Sequence, residues 1–218
     1  MIIKRIKLEN YTVFEEHQIE FDPGINIFIG ENGTGKTHLF KVLYSACQCV
    51  DQRVSFSHKL VSTMLPDDYK ISRLITRKQG NRSALIRIFA GERDVTQERV
   101  LSASFHGKTK KWDAEVTGEK GWDEPESNIN PSYISIIVEL LLELQRKGVQ
   151  VFVSTHDYMI ASYFEVRKTK NDSIAFHSLS HASKSGELIY EKKEKFADLK
   201  NNSIVSAFDK LLDEIYDL

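Results

Sequence analysis

One short segment constrains this chain more than any other: Gly30-Glu31-Asn32-Gly33-Thr34-Gly35-Lys36-Thr37. It matches the pattern G-x-x-x-x-G-K-[ST]. Glycines at these places let the backbone curl until several N–H groups converge on one point, a concavity suited to phosphate oxygens. A helix starting just after Gly35 would add its positive N-terminal end. Such a loop needs a strand before it and a helix after it, and the sequence supplies both. Ile25 to Ile29 is a short apolar run, as a buried parallel strand would be. Leu39, Phe40, Leu43, Cys47 and Val50 recur at helical spacing. The segment therefore predicts an α/β fold of the P-loop type. In that loop Lys36 is the residue that reaches the β- and γ-phosphates of a nucleotide, and the Thr37 hydroxyl is a ligand for Mg²⁺. Gly30, Glu31, Asn32, Gly33, Thr34, Gly35 and the next residue, His38, complete the candidate nucleotide contacts.

A phosphate loop acts with partners. One is an acidic residue at a strand end to hold the metal, and another is a group that orients or deprotonates the attacking water. Asp123 and Glu124 fit those two roles. His156 lies just past a second buried-strand run, Val149 to Val153. An imidazole there can hydrogen-bond a γ-phosphate, and α/β sheets bind their ligands at that end of their strands.

The remaining pattern predicts the architecture around these residues. Ile2 to Leu8 mixes apolar and basic residues, as an edge strand would. A turn with aromatic residues follows (Glu9 to Phe14), then a strand from His17 to Phe21 and a turn at Asp22-Pro23-Gly24. Ile71 to Arg77, Ala84 to Ala90, Arg99 to Phe105 and Trp112 to Val116 are short β-like runs separated by turn formers. They predict a small antiparallel lobe over roughly 51–120. Asn130 and Pro131 suit the N-cap and first residue of a helix whose apolar face carries Ile134, Ile137, Val138, Leu141 and Leu144. Gly148 ends it. The tail, 166–218, predicts two strands (Ile174 to Leu179, Leu188 to Lys192) and a helix over Ile204 to Tyr216. Residues 1–50 and 122–165 form the expected nucleotide-binding core of a single head.

Composition narrows the partners. The net charge of −1 gives no overall basic surplus, so any nucleic-acid contact must come from a local patch. Basic residues cluster at Lys4, Arg5 and Lys7, at Arg73, Arg77 and Lys78, and at Lys108, Lys110 and Lys111. Cys47 and Cys49 are too close for an easy mutual disulfide and too few for a metal site. No apolar stretch approaches a membrane span, and the charged N-terminus does not suit a signal peptide. A cytoplasmic chain with no membrane partner is the expectation.

The P-loop, Asp123-Glu124 and His156, in this order, resemble the ATP-binding-cassette heads of the SMC and RecF type. The opening stretch from Ile2 to Phe14 is similar to the strand-turn that begins those heads. Trp122 to Asp157 is similar to stand-alone bacterial ATPases of the group, several of which work beside nucleases in phage defence or DNA repair. The resemblance implies a mixed sheet with an antiparallel β lobe, ATP and Mg²⁺ as cofactors, and an ATPase activity. It implies Asp123 as the Walker B aspartate, Glu124 as the catalytic glutamate and His156 as the switch histidine. Ser127 to Asn130 would meet the partner subunit. Two heads would form a homodimer that sandwiches two ATP molecules and parts after hydrolysis, coupled to DNA or a nuclease partner.

The sequence departs from that pattern in one region. A central strand carrying Asp123 should be apolar, yet Gly118-Glu119-Lys120-Gly121-Trp122 precedes it. Thr117-Gly118-Glu119-Lys120 only slightly resembles the core of the signature motif, and no helix-length segment separates it from Asp123. Gln79 matches the family's metal-loop glutamine by residue type alone. These features imply that an internal segment is absent near Lys120 to Trp122. Two alternatives follow: a nucleotide-binding module without turnover, and, with less support, a transporter ATPase subunit.

Overall fold

The computed structural model describes residues 2–49, 54–78, 80, 83–93, 95–107, 133–182 and 185–216. In chain order its elements are β1 (Ile2–Tyr11), β2 (Phe14–Glu20), β3 (Ile25–Gly30), α1 (Lys36–Gln48), α2 (Phe56–Met64), β4 (Ser83–Gly91) and β5 (Arg99–His106). Then come α3 (Ile134–Arg146), β6 (Val151–Thr155), α4 (Tyr158–Arg167), β7 (Ile174–His181), β8 (Leu188–Lys193) and α5 (Ser203–Tyr216). They fall into two compact units. The first takes in Met1–Phe21 and Thr37–Gly121, the second Asp22–Lys36 and Trp122–Leu218.

The first unit holds an antiparallel sheet in the order β2-β1-β4-β5. The antiparallel lobe expected from the sequence is present, and it also includes the N-terminal strands. β1 is not the edge strand its charges suggested. It lies between β2 and β4, with Lys7 opposite Gln18 on one side and Arg87 on the other. Its charges mark a solvated face instead: Ile6 and Leu8 are fully buried, while Arg5, Lys7 and Glu9 alternate with them toward water.

Ile71 to Arg77 is not a strand either. Ile71–Leu74 is a 3₁₀ turn, and Ile75 makes a single bridge to Tyr11. Ile71 and Leu74 are both buried, and a spacing of three places them on one side of a 3₁₀ turn rather than on one face of a strand. Helix α2 had no counterpart among the sequence expectations. It buries Phe56, Leu60 and Val61 and ends at Leu65 in the left-handed region.

The second unit is built on a mixed sheet in the order β6-β3-β7-β8. β6, β3 and β7 run parallel, and β8 closes the sheet antiparallel to β7. β3 is buried at every position, as its unbroken apolar run requires. Ile25, Ile27 and Ile29 face a core completed by Ile134, Val138 and Leu142 of α3 and Ile160, Ala161 and Phe164 of α4. The spacing of the α3 residues is the stripe one helix face needs. α5 docks on α4 through a stack of Phe208 on Tyr158, with ring centroids 4.2 Å apart.

The expected turn at Asp22-Pro23-Gly24 is held by side chains. The Asp22 carboxylate accepts from the Gly24 N–H at 2.7 Å and from the Ser173 hydroxyl at 2.6 Å. A Cβ on Gly24 would lie 2.1 Å from the Ser173 carbonyl oxygen, so glycine is required there.

Candidate functional site

β3 delivers the chain straight into the Gly30–Thr37 loop at the carboxyl end of the parallel strands. The first glycine is fixed by close packing: a Cβ on Gly30 would sit 2.0 Å from the carbonyl oxygen of Leu179, its register partner on β7. Gly33 and Gly35 adopt φ of 83° and 91°, the left-handed region that glycine enters at no steric cost. Around Gly33 an added Cβ would meet nothing within 4 Å, so its backbone lies open to a ligand.

Within the loop Thr34 is buried and its hydroxyl donates to the Glu31 carbonyl at 2.8 Å. Lys36 is only 5% exposed, although lysines are seldom buried. Its ammonium donates to the carbonyls of Gly30 at 2.8 Å and Glu31 at 2.9 Å. The lysine thus braces the loop that it would use to hold a phosphate.

Thr37 is exposed, and with His38 it belongs to the first turn of α1. His38 is half-buried, and its Nδ1 has no hydrogen-bond partner among the described residues. Burial, and then the neighbouring Lys41 charge, lower its pKa and favour the neutral ring.

Strand register places His156 beside the loop. Thr155 pairs with Ile29, so His156 leaves β6 at the level where Gly30 leaves β3. Two hydrogen bonds hold the turn that carries it: the Asp157 N–H donates to the Thr155 hydroxyl at 2.9 Å, and the Asp157 carboxylate caps α4 by accepting from the Met159 N–H at 2.6 Å. The structure therefore brings the Gly30–Lys36 loop and His156 together.

Asp123, Glu124, Gln79, the Ser127–Asn130 loop, the N-cap pair Asn130-Pro131 and the Trp112–Val116 strand lie outside the described residues, as does the expected junction at 120–122. Among the described residues no cluster of three or more His, Cys, Asp or Glu side chains could hold a metal. Of the expected Mg²⁺ ligands, only Thr37 is described.

Behind the loop lies a pair of residues absent from the sequence expectations. His177 of β7 is fully buried. Its ring stacks on Phe28 of β3 with centroids 4.4 Å apart. Its Nε2 lies 3.0 Å from Asn26 Oδ1 and its Nδ1 lies 2.9 Å from the Tyr190 hydroxyl on β8. Burial, reinforced by the Lys192 charge, pushes its pKa down to about 3. The signal was available as buried polar residues inside two apolar runs, Asn26 in Ile25-Asn26-Ile27 and His177 with Ser178 in Phe176-His177-Ser178-Leu179.

Three of the described members of the basic clusters are paired with carboxylates. Arg5 pairs with Glu98 at 2.7 Å, Lys7 with Glu9 at 2.8 Å and Lys78 with Glu15 at 2.5 Å. Lys108, Lys110 and Lys111 lie outside the described residues. Among the described residues no helix is long and apolar enough to cross a membrane.

A family model described as an AAA domain, AAA_23, matches residues 5–218. The chain belongs to that family. This AAA-domain chain is 35% identical over 88 residues to the DNA replication and repair protein RecF of Streptococcus agalactiae, a stretch covering 40% of this chain and 24% of that protein. It is 47% identical over 49 residues to RecF of Phocaeicola vulgatus, covering 22% of this chain and 13% of the relative. The matched stretch is thus about a quarter or less of these relatives' length.

Two solved structures share the fold. One is an Smc head bound to the C-winged helix domain of ScpA, with a TM-score of 0.61 at 10% identity, covering 88% of this chain and 98% of that one. The other is the SMC head domain from Thermotoga maritima, with a TM-score of 0.53 at 10% identity, covering 88% and 99%. The fold is that of an SMC/RecF-like ATPase head: α/β, with a P-loop on a mixed sheet and an antiparallel β lobe.

Proposed function

We propose that this chain binds ATP in the Gly30–Thr37 loop and hydrolyses it with Mg²⁺, as an ATPase head of the RecF and SMC class. The observation that carries this reading is Lys36, a buried ammonium at the end of a central parallel strand. Set in a glycine loop, a desolvated cation favours a ligand of high negative charge, and a nucleotide's phosphates are such a ligand. The loop fits such a group: Gly30 is seated by β7, Gly33 leaves backbone open, and the Lys36 ammonium lies against the Gly30 and Glu31 carbonyls.

In this reading the loop amides and Lys36 hold the β- and γ-phosphates. His156, level with Gly30, hydrogen-bonds the γ-phosphate. Thr37 and Asp123 would hold the metal, which would supply positive charge to offset that of the phosphates. Glu124 orients the attacking water and takes its proton. Paired heads that close on ATP and part after hydrolysis would couple turnover to DNA or to a nuclease partner. The names of the RecF relatives, which assign them to DNA replication and repair, support the DNA side.

Two measurements test this. In calorimetric titration with ATP, Lys36→Ala should weaken binding about 30-fold or more, the loss expected when a buried charge pair is broken. In a Mg²⁺-dependent phosphate-release assay, Glu124→Gln should slow turnover by roughly 10²- to 10⁴-fold. Undiminished turnover in that variant would remove Glu124 from the mechanism.

A second reading is favoured by the sequence spacing of Lys120 and Asp123, which leaves no length for a signature helix between them. It is a module that binds ATP without turning it over. Tight ATP binding with no phosphate released would select it.

A further inference from the structure

The two strands that meet behind the phosphate loop share an unusual property. β3 is buried at every residue, and β7 is buried from Ile174 to Leu179. In a strand with one wet face, a one-residue slip moves the apolar set into water, so the pattern alone fixes the register. In Ile25-Asn26-Ile27-Phe28-Ile29 and Ile174-Ala175-Phe176-His177 both faces are buried and mostly apolar, and a slip exchanges one buried face for another. The pattern therefore discriminates weakly between registers. A buried polar contact can supply the missing discrimination, because it is satisfied in one register only.

Asn26 and His177 supply such a contact. The directions of their hydrogen bonds are fixed. The Asn26 amide nitrogen donates to the Asp22 carbonyl at 2.9 Å, and its Oδ1 accepts from the Asp22 N–H at 2.7 Å. Oδ1 can only accept, so His177 Nε2 carries the proton toward it, and Nδ1 accepts from the Tyr190 hydroxyl. One neutral imidazole thus ties β7 to β3 on one side and to β8 on the other, while stacking on Phe28.

The pinned residues lie on the face that reaches the loop. Asn26, Phe28 and Gly30 follow one another at the period of two along β3, as His177 and Leu179 do along β7. Phe28 is paired with His177 and Gly30 with Leu179. The next contact after the His177–Phe28 stack is therefore the Leu179 carbonyl closing on Gly30, where no Cβ fits.

We infer that His177 is a positioning residue for the phosphate loop: it fixes the register of β7 against β3 and so seats Gly30, through Leu179, where the loop must begin. This rests on the ATP-binding reading for its consequence, but the positioning itself is testable without nucleotide. His177→Phe keeps the stack on Phe28 and removes both hydrogen bonds. His177→Gln keeps an amide donor.

In nucleotide-free protein, hydrogen–deuterium exchange should quicken at least tenfold across 30–36 in His177→Phe, while β1, β4 and β5 stay at wild-type rates. The Gln variant should recover most of that protection. ATP affinity, titrated well below each variant's melting temperature, should fall about tenfold in the Phe variant and within threefold of wild type in the Gln variant. If the Phe variant does not fold, Tyr190→Phe removes the hydrogen bond to Nδ1 and should raise exchange across 30–36 severalfold. Wild-type exchange across 30–36 in a folded Phe or Tyr190→Phe variant overturns the inference. So does uniformly faster exchange throughout the second unit, which would mark a merely structural role. Wild-type protein that shows the expected exchange pattern yet binds no ATP would instead overturn the functional reading and leave the positioning role standing.

Discussion

The two sheets solve the same problem in opposite ways. In the antiparallel sheet each strand has one wet face, and Ile6 and Leu8 are buried while Arg5 and Lys7 are not. Its solvent side is covered by local pairs such as Arg5–Glu98 and Lys7–Glu9. In the mixed sheet β3 and most of β7 have no wet face, and register rests on a few polar contacts that must all be satisfied. The first sheet is specified by pattern and the second by particular atoms. The phosphate loop grows from the second, where a backbone shift of a few tenths of an ångström matters most.

If this contrast is right, deleting atoms should hurt far more in the mixed sheet. Ile27 is fully buried at the centre of its core. Ile27→Ala should cost about 3 to 4 kcal/mol in urea unfolding, the transfer loss plus the cavity left behind. A cost below ~1 kcal/mol would show that the site collapses around the cavity and that the sheet is less rigid than its burial indicates.

Acid separates the sheets next. The folded His177 titrates near 3, and an unfolded histidine titrates near 6.5. Between those values the unfolded state holds a proton that the folded state does not. Stability conferred by the neutral, buried ring is therefore full above about pH 6.5 and declines as the pH falls toward 3. Between pH 7 and pH 5 the loss should be about 2 kcal/mol, read as the difference between wild type and His177→Phe. The Tyr190 hydroxyl and the Lys192 charge both bear on this ring. Parallel pH profiles for the two proteins would show that His177 takes up its proton while folded.

A third contrast is smaller and lies at the rim of the same unit. Asp172 joins the loop before β7 to the end of α3, accepting from Arg146 twice at 2.8 Å and from Thr169. Arg146 is the main cause of a carboxyl pKa lowered to about 2. The linkage runs in the usual acid direction: the contribution is complete above about pH 4 and is lost as the pH falls through 2. Discounted for solvent screening, Asp172→Asn should cost on the order of 1 kcal/mol at pH 7 and nothing well below pH 2.

What the sequence disclosed follows the same division. The P-loop, its strand and its helix were legible because glycines at that spacing, directly after an apolar run, suit little besides a phosphate loop. Strands β4, β5, β7 and β8 were legible from period and turn residues. Two misreadings came from the antiparallel unit. Charges at Arg5 and Lys7 suggested an edge, although a half-wet central strand carries the same pattern. Ile71 and Leu74 suggested a strand, although a spacing of three belongs to a 3₁₀ turn. Asn26 and His177 were missed for another reason: a polar residue in an apolar run looks like a flaw until its partner on the next strand is known, and that pairing is a tertiary fact. Thr155 and His156 were legible as a strand end, but their placement level with Gly30 needed the register.

The smallest effect is the sharpest control. Val100 of β5 is 54% exposed, on the wet face of the antiparallel sheet and in register with Phe89. Phe89 is itself covered by the Arg5 guanidinium, 4.1 Å from the ring centroid. Val100→Thr keeps the β-branched shape that suits a strand and adds a hydroxyl that water can satisfy. Nothing in its surroundings depends on the lost methyl group, so the change should stay within ~0.5 kcal/mol in the same unfolding measurement. The equivalent exchange at Val153, buried in the mixed sheet's core, would place a hydroxyl among Ile27, Val138 and Phe164 and should cost severalfold more. Equal costs at the two valines would mean that burial on both faces is not what distinguishes the sheets, and a polar register pin at His177 would then have nothing to correct.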